Sequence, residues 1–104
     1  MLLRFARTDI NAASEELLKG ILQGNPTLKV SGSAQSGKVD NYVSRLTPLQ
    51  GPSSMRKGEK ENVILLTVMH TKGLFYAIFI APESRWPVAE PEYRQMIQTI
   101  RFSR

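Results

Sequence analysis

Apolar residues recur along the chain with two different periods, and each change of period marks an element. Residues 1–8, MLLRFART, alternate weakly, with Leu3 and Phe5 on one side and Arg4 on the other, which predicts a short strand. From 11 to 24 the period lengthens. Ile10, Ala13, Leu17, Leu18, Ile21 and Leu22 form one helical stripe, with Glu15, Glu16, Lys19 and Gln23 facing away. Asp9 or Asn11 can accept a bond from the free N–H groups of the first turn. Gly24-Asn25-Pro26 predicts the stop, with glycine in the left-handed closing position and proline unable to continue.

Four strand signals follow. Leu28-Lys29-Val30-Ser31 is short and alternating, and a loop from Gly32 to Gly37 leads into 38–47, where Val39 and Val43 share one face and Tyr42 and Leu46 the other. Residues 48–61, rich in Pro, Gly, Ser and charge, read as a long mobile loop. Asn62–His70 and Leu74–Ala81 are apolar on both faces, as central strands are, and Thr71-Lys72-Gly73 between them is a hairpin connection. After Pro82 the chain turns through Glu83-Ser84-Arg85-Trp86-Pro87. A second helix is predicted from Glu90 to Thr99, with Pro91 in its first turn and Tyr93, Met96, Ile97 and Ile100 as its stripe. The order is β-α-β-β-β-β-α. Short links make the strands antiparallel, and the two helices must bury their stripes on the sheet. The expected fold is α+β, a two-layer sandwich of about five mainly antiparallel strands with both helices on one face.

Composition narrows the chemistry more than the architecture. The chain has 104 residues, enough for one domain spanning 1–104 that buries roughly 65% of its unfolded surface. It has no cysteine and one histidine, which excludes disulfides, thiolate zinc sites, cysteine nucleophiles and multi-histidine metal sites. No apolar run reaches the roughly 18 residues of a membrane span. Fourteen Lys and Arg against nine Asp and Glu give a net charge of +5, which raises nucleic acid as a ligand. The cations are spread almost evenly, however, and the densest stretch, Arg56-Lys57-Gly58-Glu59-Lys60-Glu61, is interrupted by two glutamates. A phosphate-tracking face needs clustered cations, so the distribution argues against one.

The reactive groups do not assemble. His70, at the end of a strand beside a turn where a polar ring can point into solvent, has only Met69, Thr71 and Lys72 nearby and reads as structural or incidental. Glu15-Glu16 sits on an exposed helix start, Glu59 and Glu61 alternate with lysines, and Glu90 and Glu92 suit a helix start for dipole reasons alone. Gly32-Ser33-Ala34-Gln35-Ser36-Gly37-Lys38 lacks the spacing and the following helix of a phosphate loop. Trp86, with Arg85 beside it, is the remaining candidate. In an irregular segment a tryptophan either plugs the end of the core or forms an interaction surface, and both readings stand. No catalytic, cofactor-binding or metal-ligating residue is expected.

Leu65-Leu66-Thr67-Val68, Gly73-Leu74-Phe75-Tyr76, Phe79-Ile80-Ala81-Pro82-Glu83, Met96-Ile97 and Ile100-Arg101-Phe102, with Leu17-Leu18-Lys19-Gly20-Ile21-Leu22-Gln23 and Gly24-Asn25-Pro26-Thr27-Leu28-Lys29-Val30, resemble a domain appended to bacterial HtpX-like zinc metallopeptidases. The resemblance spans about residues 9 to 102. In those proteins the zinc and its His-Glu-x-x-His helix belong to the preceding peptidase domain, so no catalytic residue carries over to this chain. The resemblance implies a non-catalytic α+β module of the PsbP-like kind, in a periplasmic or membrane-associated parent, serving docking, presentation or regulation. Two departures are the longer 48–61 segment and the short first strands, which make the chain read as a fragment of a longer protein.

The expected function is therefore a non-catalytic accessory or protein-interaction domain without a cofactor. Its expected partner is a protein or a parent peptidase domain, with a homodimer through a sheet edge as a further arrangement. The alternative is a weak nucleic-acid or anionic-surface binder, and a small enzyme using carboxylates or His70 ranks last.

Overall fold

The computed structural model describes residues 2–3, 9–53 and 57–102. Three long strands, β4 (Tyr42–Pro52), β5 (Lys60–His70) and β6 (Gly73–Pro82), form an antiparallel centre. β5 is paired on both sides, with Leu65 opposite Thr47 and Ile78, and Leu66 opposite Leu46 and Ala77. That position accounts for its two-sided apolar run. The β5–β6 hairpin turns at Thr71-Lys72, with His70 opposite Gly73. Gly73 has φ +145°, a conformation that side chains other than glycine's rarely permit.

β1 (Leu2–Leu3) adds to β6 on one side. On the other, β2 (Lys29–Val30) and β3 (Gln35–Val39) lie end to end along β4. The fold is α+β, as the periodicity predicted, and the rest of the predicted first strand, including Arg4 and Phe5, lies outside the described residues. No helix among them is long and apolar enough to cross a membrane.

Three readings of the middle of the chain are corrected. Residues 38–47 are not one strand but a hairpin that turns at Asp40 and Asn41, whose φ angles are +50° and +68°. Positive φ at both central residues is the signature of the mirror-image turn that matches strand twist. The reversal buries Val39 beside Tyr42 and leaves Val43 exposed, so the two valines do not share a face. Residues 48–52 and 60–61, expected in a loop, continue the β4–β5 ladder, with Pro48 opposite Ile64 and Pro52 opposite Lys60. A proline breaks only the ladder toward which its missing N–H would point. The Pro48 carbonyl accepts the Ser31 N–H at 3.0 Å, so its backbone polar groups face the β2 side and leave the β5 ladder intact.

The two helices lie on opposite faces. α1 (Ile10–Gly24) packs Leu18, with Leu17, Ile21 and Leu22, on Leu49, Val63 and Leu65. α2 (Trp86–Gln98) and the residues after it pack Ile97, Ile100 and Phe102 on Leu66, Val68, Phe75, Ala77 and Phe79. Successive strand residues point to opposite faces, so Leu65 and Leu66 look at different helices. The sandwich thus carries one helix on each face, in place of both on one.

Element ends differ as well. Asp9 caps α1 through the Asn11 N–H at 2.9 Å, as expected, but Gly24 is inside the helix. Asn25 closes it, its side-chain amide donating to the Ile21 carbonyl at 2.9 Å. α2 begins at Trp86, four residues before the predicted start, after a 3-10 turn at Glu83–Arg85. Pro87 takes the first-turn place assigned to Pro91, and Pro91 is internal. Met96, assigned to the buried stripe, is 54% exposed.

Candidate functional site

On the α2 face, the helix and the segment between β2 and β3 stand apart and leave a cleft of about 330 Å³. Its floor is made by Leu46 and Pro48 of β4 and Asn62 and Ile64 of β5, even-numbered residues that share this face. Ser31, Gly32, Ser33 and Gln35 form one wall. Trp86, Glu90 and Arg94 form the other, four residues apart and so in one row along the helix.

Trp86 is held by a stack of rings. Its indole lies edge-on to Tyr93, with centroids 6.1 Å apart, and Tyr93 lies against Phe79 at 5.1 Å. The Tyr93 hydroxyl donates to the Ile80 carbonyl at 2.7 Å, which fastens α2 to β6. Half-buried, Trp86 packs on Tyr93 and lines the cleft. Arg85, the other candidate, is exposed and lies outside the cleft lining.

At the rim, Arg94 donates to Glu90 and to the Gln35 side-chain oxygen, each at 3.4 Å. Gln50 donates to Asn62 at 2.7 Å and orients that amide at the floor. The result is a floor of three apolar side chains and one amide, an aromatic wall and a rim of hydroxyls, amides and one ion pair. Such a lining suits a segment that brings both apolar and hydrogen-bonding groups. Sequence reading missed Gln35, Glu90 and Arg94 as partners of Trp86. The 86-90-94 spacing was a usable signal once the helix start is moved to Trp86, whereas nothing in the sequence pointed to Gln35.

The other candidates go elsewhere. His70 does not face solvent; it is 9% exposed, with Tyr42 and Phe102 at ring distances of 4.8 and 5.2 Å. Its Nδ1 accepts the Lys72 N–H at 3.1 Å, which makes it part of the hairpin. Glu15 pairs with Arg45, whose side chain is only 13% exposed beneath the start of α1 and also reaches Asn11. Glu59 accepts from Ser84 at 2.8 Å. Lys38 sits in β3, in a hairpin with no helix after it, so the Gly32–Lys38 segment is no phosphate cradle. Among the described residues no three His, Asp or Glu side chains converge to hold a metal.

A polar clamp closes the far end of the same face. Asp40, in the β3–β4 turn, accepts the Phe102 N–H at 2.9 Å, with Arg101 at 4.0 Å. Phe102 then packs edge-on to Tyr42 at 5.6 Å and Phe75 at 5.1 Å. Compared with protein-family models and with curated proteins, the chain matches none.

Proposed function

We propose that this chain is a non-catalytic protein-interaction module that takes a short extended protein segment in the cleft beside Trp86. The observation that carries the reading is the row Trp86-Glu90-Arg94 set over a mostly apolar floor, with Ser31, Ser33 and Gln35 opposite. A tryptophan that is half-held by its own protein supplies rigid apolar area at low entropic cost, the usual anchor of an interface. The hydrogen-bonding rim fixes register. The reactive groups are committed to structure: His70 to the hairpin and the aromatic cluster, Glu15 to Arg45, Glu90 to Arg94. Those ion pairs also draw arginines away from a phosphate ligand and favour protein over nucleic acid. The resemblance to the domain appended to HtpX-like metallopeptidases agrees with a docking or presentation role beside a peptidase domain.

The test selects binding peptides from a random twelve-residue display library on the native chain. Trp86, the single tryptophan, reports occupancy by its fluorescence. Selected peptides should shift its emission, and Trp86→Ala should weaken binding measured by calorimetry about tenfold or more. Arg85→Ala should leave it nearly unchanged. Peptides that bind equally well to the Trp86→Ala variant would refute the assignment.

A further inference from the structure

β6 is the one long strand whose outer side is mostly uncovered among the described residues: β1 meets only Leu74 and Phe75, and Tyr76 to Pro82 have no strand beside them. An open edge offers free N–H and C=O groups, and proteins usually guard it with charge. From Gly73 to Pro82 there is no charged residue. Ile78 and Ile80, on the α1 face but beyond the reach of that helix, are 42% and 51% exposed.

We propose that this edge binds a second copy of the chain, β6 against β6 and antiparallel, about a two-fold axis through Phe79. What selects a second copy is the sequence of the edge itself. Ala77-Ile78-Phe79-Ile80-Ala81 reads the same in both directions. Antiparallel pairing centred on Phe79 therefore sets Ile78 opposite Ile80 of the partner, twice, on the α1 face, and Ala77 opposite Ala81 on the other. This is the self-complementarity a two-fold interface requires. Neither strand brings a charge against the other, although each copy carries +5 elsewhere.

The backbone is turned the right way. The Ile80 carbonyl accepts from Tyr93, so it points away from β5, and by the strand period the polar groups of Ile78 and Tyr76 do the same. The Tyr93 hydroxyl takes one lone pair of that carbonyl and leaves the other for a partner N–H. Pro82, two residues on, has no N–H to lose on this side and marks the end of the pairing. Seven paired residues give a contact roughly 24 Å long, well below a standard interface in area, so the dimer is weak.

Sedimentation equilibrium of the whole chain, from about 10 µM to about 1 mM, reads the association. The native chain should pass from monomer to dimer, and Ile78→Lys/Ile80→Lys, which sets like charges opposite each other, should stay monomeric. Ile78→Lys/Ile80→Glu sets opposite charges there and should recover the dimer. Both positions are exposed, and circular dichroism checks that the variants fold. Amide exchange on the unaltered chain gives an independent readout: the Ile78 N–H should slow several-fold between the two concentrations. A native chain that is monomeric at the upper concentration, a Lys/Lys variant that still dimerises, or an Ile78 amide indifferent to concentration overturns the proposal.

Discussion

Removing the Thr67 hydroxyl should harm the fold more than removing its partner's, and removing both should harm it less than removing Thr67's alone. Ser14 of α1 and Thr67 of β5 are 1% and 0% exposed, and their hydroxyl oxygens lie 2.6 Å apart. Thr67 also donates to the Arg45 carbonyl at 3.3 Å. A threonine hydroxyl has one hydrogen; spent on Arg45, it leaves Ser14 as donor in the buried pair. Ser14→Ala then deletes a donor and leaves Thr67 still bonded, a loss of about 0.5–1.5 kcal/mol. Thr67→Val strands the Ser14 hydroxyl between helix and sheet, a desolvated group without its acceptor, and should cost about 1–3 kcal/mol. In the double variant the facing groups are both apolar and nearly the original shape. Its loss should fall below that of Thr67→Val, a non-additive coupling of about 1 kcal/mol. Urea unfolding followed by Trp86 fluorescence and by circular dichroism measures all four chains. Additive losses, or a Ser14→Ala variant less stable than Thr67→Val, would refute the donor assignment.

Three further outcomes are expected in the same assay. Phe102→Ala should lose about 2 kcal/mol, less than a fully buried phenylalanine because the ring is half-covered, whereas Arg101→Ala, mostly exposed, should lose under about 0.5 kcal/mol. Asn41→Gly should gain up to about 0.5 kcal/mol, and Asn41→Val should cost about 1–2 kcal/mol, because φ is +68° there. Pro91→Ala restores an N–H for the Pro87 carbonyl inside α2 and should stabilise by about 1–3 kcal/mol, read as a higher urea midpoint at unchanged slope.

The apolar periodicity was enough for both helices, for the β5–β6 hairpin and for the antiparallel class, because these depend on which residues are apolar and how they alternate. It failed where a residue's local habit is overridden by direction. Pro48 reads as a breaker, yet in place its missing N–H faces away from the β5 ladder. Asp40-Asn41 reads as part of a strand, yet both residues accept the left-handed turn that folds 35–52 into a hairpin. His70 reads as a polar end, yet Tyr42 and Phe102 enclose it, and Phe102 arrives from 32 residues away along the chain.

Sequence alone determined that two amphipathic helices must cover a sheet apolar on both sides. The expectation that both helices share one face failed, since Leu65 and Leu66 are equally apolar and only their alternation separates them. Tertiary packing divided the helices, α1 on the odd residues of β5 and α2 on the even ones. That division opened the cleft between Trp86 and Gln35 and left Ile78 and Ile80 uncovered. Burial is a property of whole faces meeting, and no single stretch of chain records which face it will meet.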